Sequence, residues 1–155
     1  KNFDTKAEVR VSNRSARRRG TLYGMTIPVV LSACSSLAAP SEISLPNGAV
    51  EIAAPAVYRD WHQKTQQCSG LTADFSTVKF YVVPGVETFS TDQGPKVGMW
   101  LRTSRGHAIV VAGNYQEHEM VVRHEMLHSL IRQAGHPTSY FVDRCQLTWE
   151  TWLAG

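Results

Sequence analysis

His124 and His128, four residues apart with Glu125 directly after the first, constrain this chain more than any other feature. On an α-helix, side chains at i and i+4 lie one above the other, so both imidazoles reach a single point on one face. Two imidazoles at that spacing supply two ligands for one metal ion. The adjacent carboxylate is placed to exchange a proton with a molecule held there. Met120, Val121, Leu127, Leu130 and Ile131 give the same helix the apolar contacts that anchor it in a core, and the histidines fall on a neighbouring stripe.

The surrounding sequence predicts a helix over residues 114–134. Asn114 is the expected N-cap, Glu117 and Glu119 sit in the first turns, and Gly135 is the expected left-handed stop. A first helix is expected over 56–67, with Pro55 near its start and Val57, Trp61 and Lys64 on one face. Strand-forming residues fill 78–83, 97–102 and 107–112, separated by Pro84-Gly85 and by the turn residues Asp92-Gln93-Gly94-Pro95. Val50 and Ile52 alternate in a way that adds a short strand within 47–55. Helix, strands and motif helix in that order give an α+β class. The expected sheet is short and mostly antiparallel, packed on the first helix and the motif helix.

Residues 1–33 read differently. Arg17, Arg18 and Arg19 precede an uncharged, largely apolar run over 21–33, which ends in Leu31-Ser32-Ala33-Cys34. The run is too short for a permanent membrane span and fits an export signal. Leu-Ser-Ala-Cys resembles the lipobox of bacterial lipoproteins. The resemblance implies lipidation of Cys34, a mature chain beginning there, and a cell-envelope location. Ser35 and Ser36 point to the periplasmic face of the outer membrane in a diderm host. The adjacent arginines match a twin-arginine signal poorly. Residues 1–16 are given no fold, and since the chain does not begin with Met, a fragment or an over-extended start is expected. Residues 34–55, rich in Ser, Ala and Pro, read as a tether. Residues 56–155 read as one domain.

Charge and cysteine usage agree with export. Residues 1–33 carry seven Lys or Arg against two Asp or Glu, and the remainder carries nine against eleven. The positive balance thus belongs to the leader, and no basic run after Cys34 suggests nucleic-acid binding. With Cys34 committed to lipid, Cys68 and Cys145 remain as an even pair in an oxidising compartment, and a disulfide between them is expected.

His124-Glu125-Met126-Leu127-His128 resembles the HExxH motif of zinc-dependent hydrolases. The resemblance implies a small zincin-like domain, a Zn2+ cofactor, a peptide or protein substrate, and Glu125 as the general base for a zinc-activated water. A third ligand must come from beyond the helix. His136 is preferred, because Pro137 biases it toward an extended exit segment; Glu150 and Asp143 are the alternatives. The arrangement is similar to that of metzincins, but their spacing requires glycine at 131 and histidine at 134, where this chain has Ile131 and Ala134, and no Met-turn is evident. Residue by residue, the match is confined to His124, Glu125 and His128. Tyr140 or His107 is the expected oxyanion stabiliser, and strand 107–112 is the expected edge for substrate addition. His62 and His118 are expected at the surface, and Trp61, Trp100, Trp149 and Trp152 in the core. The alternative is a zinc-binding envelope lipoprotein that acts as a structural or interaction module without turnover. An intramembrane protease is excluded by the polar motif helix.

Overall fold

The apolar run of residues 108–112 sets the architecture. In the computed structural model, which describes residues 44–104 and 106–152, these residues form the interior of a mixed sheet. The elements that build it are β1 (Val50–Ile52), β2 (Val78–Val83), β5 (Gly98–Thr103) and β6 (Gly106–Ala112), in the order β1-β2-β6-β5. β2 pairs parallel with β6, and the two outer pairings are antiparallel. A parallel strand buried on both faces reads as a continuous apolar run, which is what β6 carries. Between β2 and β5, a two-stranded ribbon of β3 (Phe89–Thr91) and β4 (Gly94–Lys96) adds an antiparallel flap.

Strand periodicity divides the core. Phe80, Val82, Ile109 and Val111 face a helical layer, while Val83, Ala108, Val110 and Ala112 face Phe89 and Leu101 on the other side. The helical layer consists of α1 (Val57–Ser69) and α2 (Glu119–Ile131). α1 buries Tyr58, Trp61, His62, Thr65 and Ser69, a stripe at helical spacing. This differs from the expected face: Val57 is exposed, and Lys64 reaches out to pair with Glu119 at 3.0 Å. α1 ends at Gly70, whose φ of 74° needs no Cβ and whose N–H closes onto the Gln66 carbonyl. Two short helices, α3 (Thr138–Phe141) and α4 (Trp149–Trp152), complete the described chain.

Several expectations are corrected. Asn114 lies in a 3-10 turn (Gly113–Tyr115), and His118 is the N-cap of α2. The helix stops at Ile131 because Arg132, not Gly135, takes the left-handed conformation, with φ 57°. Strand 107–112 lies between β2 and β5, so it is interior and the sheet edges are β1 and β5. Gly94 and Pro95, expected in a turn, belong to β4. Trp149 is 45 % exposed, whereas Trp100 and Trp152 are half-buried and pack against the core as expected. His62 is buried and His118 half-buried. The strand expected within 47–55 forms as β1. The leader, Cys34 and the tether up to residue 43 lie outside the described residues.

Cys68 and Cys145 are joined as a disulfide, their Cα atoms 5.1 Å apart and 77 residues apart in sequence. The bridge ties the end of α1 to the segment that follows α3.

His62 makes stability sensitive to acid. Its ring is 4 % exposed, packs edge-on to Phe75 at 5.3 Å, and leaves Nε2 without a hydrogen-bond partner. Burial lowers its pKa below the ordinary 6.5, opposed by the nearby Asp74 charge. The unfolded chain therefore takes up this proton first. The contribution is complete above about pH 6.5 and is lost as pH falls from there toward the depressed folded-state pKa. His62→Phe should keep the packing and lose less stability than the wild type between pH 7.5 and pH 5. Urea midpoints at the two pH values measure this, and an equal loss in both proteins contradicts it.

Candidate metal centre

α2 places His124 and His128 on one face with ring centroids 5.0 Å apart. After the left-handed Arg132 the chain reverses, and Pro137 holds His136 in the exit segment facing them. The three Nε2 atoms converge: His124 to His136 at 3.0 Å, His128 to His136 at 3.2 Å, and His124 to His128 at 3.3 Å. Among the described residues these three form a group able to hold a metal ion.

The proton positions on the two helix histidines follow from their partners. His124 Nδ1 lies 2.7 Å from the Leu147 carbonyl, and His128 Nδ1 lies 2.9 Å from the Gln133 carbonyl. A carbonyl oxygen only accepts, so each Nδ1 carries the hydrogen and donates it. Each neutral ring then presents a bare Nε2 lone pair to the shared point. Burial, with neighbouring imidazoles adding to it, holds the pKa of His124 and His128 down to about 4, against the carbonyl bonds that raise it. Both rings are therefore uncharged at neutral pH. Lone pairs this close repel unless a cation sits between them. Nitrogens bound tetrahedrally at about 2.0–2.1 Å are about 3.3 Å apart, and the observed separations fit that donor set.

The tripod rests on Phe141. Its buried ring lies 4.7 Å from His124, 4.8 Å from His128 and 4.8 Å from His136. α3 brings it there immediately after His136-Pro137, with Phe141 N–H donating to the Pro137 carbonyl. The Phe141 carbonyl accepts from Leu147 N–H at 2.8 Å, and Leu147 in turn orients His124. Cys145, two residues before Leu147, is anchored by the disulfide. The covalent staple thus stands close to the carbonyl that sets a ligand's tautomer.

Glu125 is held on the neighbouring side of α2, against β5. The Trp100 backbone N–H lies near its carboxylate and favours the ionised form. Gly98 makes room for it: a Cβ there would lie 2.7 Å from Glu125 Oε1 and 3.0 Å from Cγ. Burial pushes the carboxyl up to about 8, while the Trp100 N–H and the Lys96 charge pull it down. The Trp100 indole stacks along His128 at 6.3 Å, and its Nε1–H donates to His107 Nδ1 at 3.1 Å.

Tripod and carboxylate open on one cleft of about 1230 Å³, lined by β4, β5, α2, His136 and residues 147–150. Of the three proposed third ligands, His136 joins the cluster; Glu150 and Asp143 are exposed and outside it. Neither expected oxyanion group reaches the cleft. The Tyr140 ring lies under the Arg144 guanidinium at 5.1 Å, and His107 Nδ1 is taken up by Trp100 and by Ser129 Oγ at 2.7 Å. Phe141, Gly98 and Trp100 were not foreseen as site residues. Phe141, five residues after a ligand and just past a proline, left the clearest trace. Comparison of the chain with family models, curated proteins and solved structures gave no match.

The disulfide and the ring platform give separable effects. Cys68→Ser/Cys145→Ser should cost about 2–4 kcal/mol in chemical denaturation. Phe141→Ala should weaken zinc binding about 10–100-fold, as loss of an orienting support does, measured by competition with a chromophoric chelator. Unchanged zinc affinity in Phe141→Ala contradicts the platform role.

Proposed function

We propose that the chain is a zincin-like, zinc-dependent peptidase, exported and held at the cell envelope by a lipid on Cys34. The observation that carries the reading is the convergence of three lone pairs beside a buried carboxylate, all opening on a single cleft. Three imidazoles with a fourth position facing a cleft suit a catalytic zinc, whereas structural sites are closed by four protein ligands. The disulfide supports an oxidising compartment.

When bound, zinc supplies Lewis acidity to a carbonyl and acidity to a water. The chain supplies the rest. His124, His128 and His136 would hold the ion, with the tautomers of His124 and His128 set by the Leu147 and Gln133 carbonyls. Glu125, whose ionised form burial opposes, would be ionised more readily beside an occupied tripod. Glu125 then takes a proton from the attacking water at a carboxylate oxygen and delivers it to the departing amine. Gly98 leaves the space in which that carboxylate stands. β5 is a sheet edge and lines the cleft, so an extended peptide adds alongside it through backbone hydrogen bonds.

The zinc-loaded wild type should cleave casein or a peptide library. Glu125→Gln should retain zinc and lose activity about 10²–10⁴-fold. Cleavage by neither protein, with zinc bound in both, favours the non-catalytic envelope module. Gly98→Ala should also retain zinc, yet lower kcat about a hundredfold by displacing the carboxylate. Unaltered kcat contradicts its positioning role.

A further inference from the structure

Lys96 stands at the end of β4, two residues before Gly98, with its backbone pinned opposite the buried Phe89 in the β3–β4 ribbon. It is half-buried and lines the cleft. Glu125 and His136 line the same cleft, and the Lys96 charge acts on both.

Among the described cleft-lining residues, the permanent cations are Lys96 and Arg102. Arg102 is spent on the Arg132 carbonyl at 3.0 Å. Elsewhere, Lys64, Lys79 and Arg123 are matched with Glu119, Glu51 and Glu119. Among the described residues no carboxylate lies within ion-pair distance of Lys96. A half-buried ammonium with no ion pair among the described residues, beside a site that could hold a dication, is partly desolvated and would repel the metal, with the Glu125 charge only a partial offset. An incoming anion relieves both.

We propose that Lys96 is the subsite for a carboxylate of the peptide substrate, so that the cleft selects acidic peptides. The inference rests on the peptidase reading for the identity of the ligand. Because binding is measured apart from cleavage, the two can fail separately.

The probes are acetylated, amidated Ala-based pentapeptides carrying one Glu at each position in turn, their Gln counterparts, and one all-Ala peptide with a free C-terminus. Binding to zinc-loaded Glu125→Gln protein is followed by tryptophan fluorescence. At one position Glu should bind about tenfold more tightly than Gln, the scale of a charge-assisted contact. The preference should vanish in Lys96→Met and persist in Lys96→Arg, with zinc content unchanged. A preference for the free C-terminus, lost in Lys96→Met, assigns the same subsite to the terminal carboxylate. No preference, no binding, or an equal loss for Glu and Gln peptides in Lys96→Met overturns the proposal. Selective binding through Lys96 without cleavage by the wild type retains the subsite and refutes the peptidase. Cleavage without acidic preference does the reverse.

Discussion

Two hydrogen bonds from imidazole to backbone carbonyl govern this structure. Leu147 and Gln133 accept the Nδ1 hydrogens of His124 and His128, which leaves both Nε2 atoms bare and aimed at His136. Neutral rings with lone pairs about 3 Å apart are electrostatically unfavourable by themselves, and a shared cation turns the repulsion into coordination. The arrangement persists only because the backbone on both sides of the tripod is fixed.

Much of the fold does that fixing. β6, buried on both faces, carries α2 across the sheet with its histidine stripe toward the cleft. The left-handed Arg132 turns the chain so that the Gln133 carbonyl meets His128 and His136 swings back. On the other flank the Cys68–Cys145 bridge and the Phe141–Leu147 backbone bond hold the Leu147 carbonyl against His124. β5 serves the cleft differently. Its Gly98 yields the volume the Glu125 carboxylate occupies, and its Trp100 N–H favours the ionised form. The histidine cluster and Glu125 are therefore supported by separate elements, which is why substitutions on β5 and around Phe141 should have different consequences.

Local patterns carried a good part of this. Helical spacing placed His124, Glu125 and His128 together, and the proline after His136 marked it as an exit-segment residue that could turn back. Cysteine counting paired Cys68 with Cys145. β-rich runs located β2, β5 and β6 to within a residue, and alternation found β1. What stayed hidden depended on tertiary contact. Gly135 looks like the natural helix stop, yet the chain reverses at Arg132, where the Gln133 carbonyl meets His128 and the Arg132 carbonyl meets Arg102. The run 107–112 looked like a substrate-binding edge, but strand order cannot be read from composition, and the parallel pairing with β2 makes it interior. His62 and Trp149 exchanged their expected environments because helix-face polarity does not reveal what packs beside it. Phe141 and Gly98 matter through what lies across from them in space, and the sequence hints at this only in the proline shortly before Phe141.

The most direct test of the three-histidine centre is zinc K-edge X-ray absorption on the stoichiometrically loaded wild type beside His136→Ala. Three imidazole nitrogens with one further light scatterer, all at about 2.0–2.1 Å, and loss of one imidazole in the variant, are the predicted result. An identical spectrum for both proteins, a sulfur ligand, or failure to bind one zinc per chain contradicts the account.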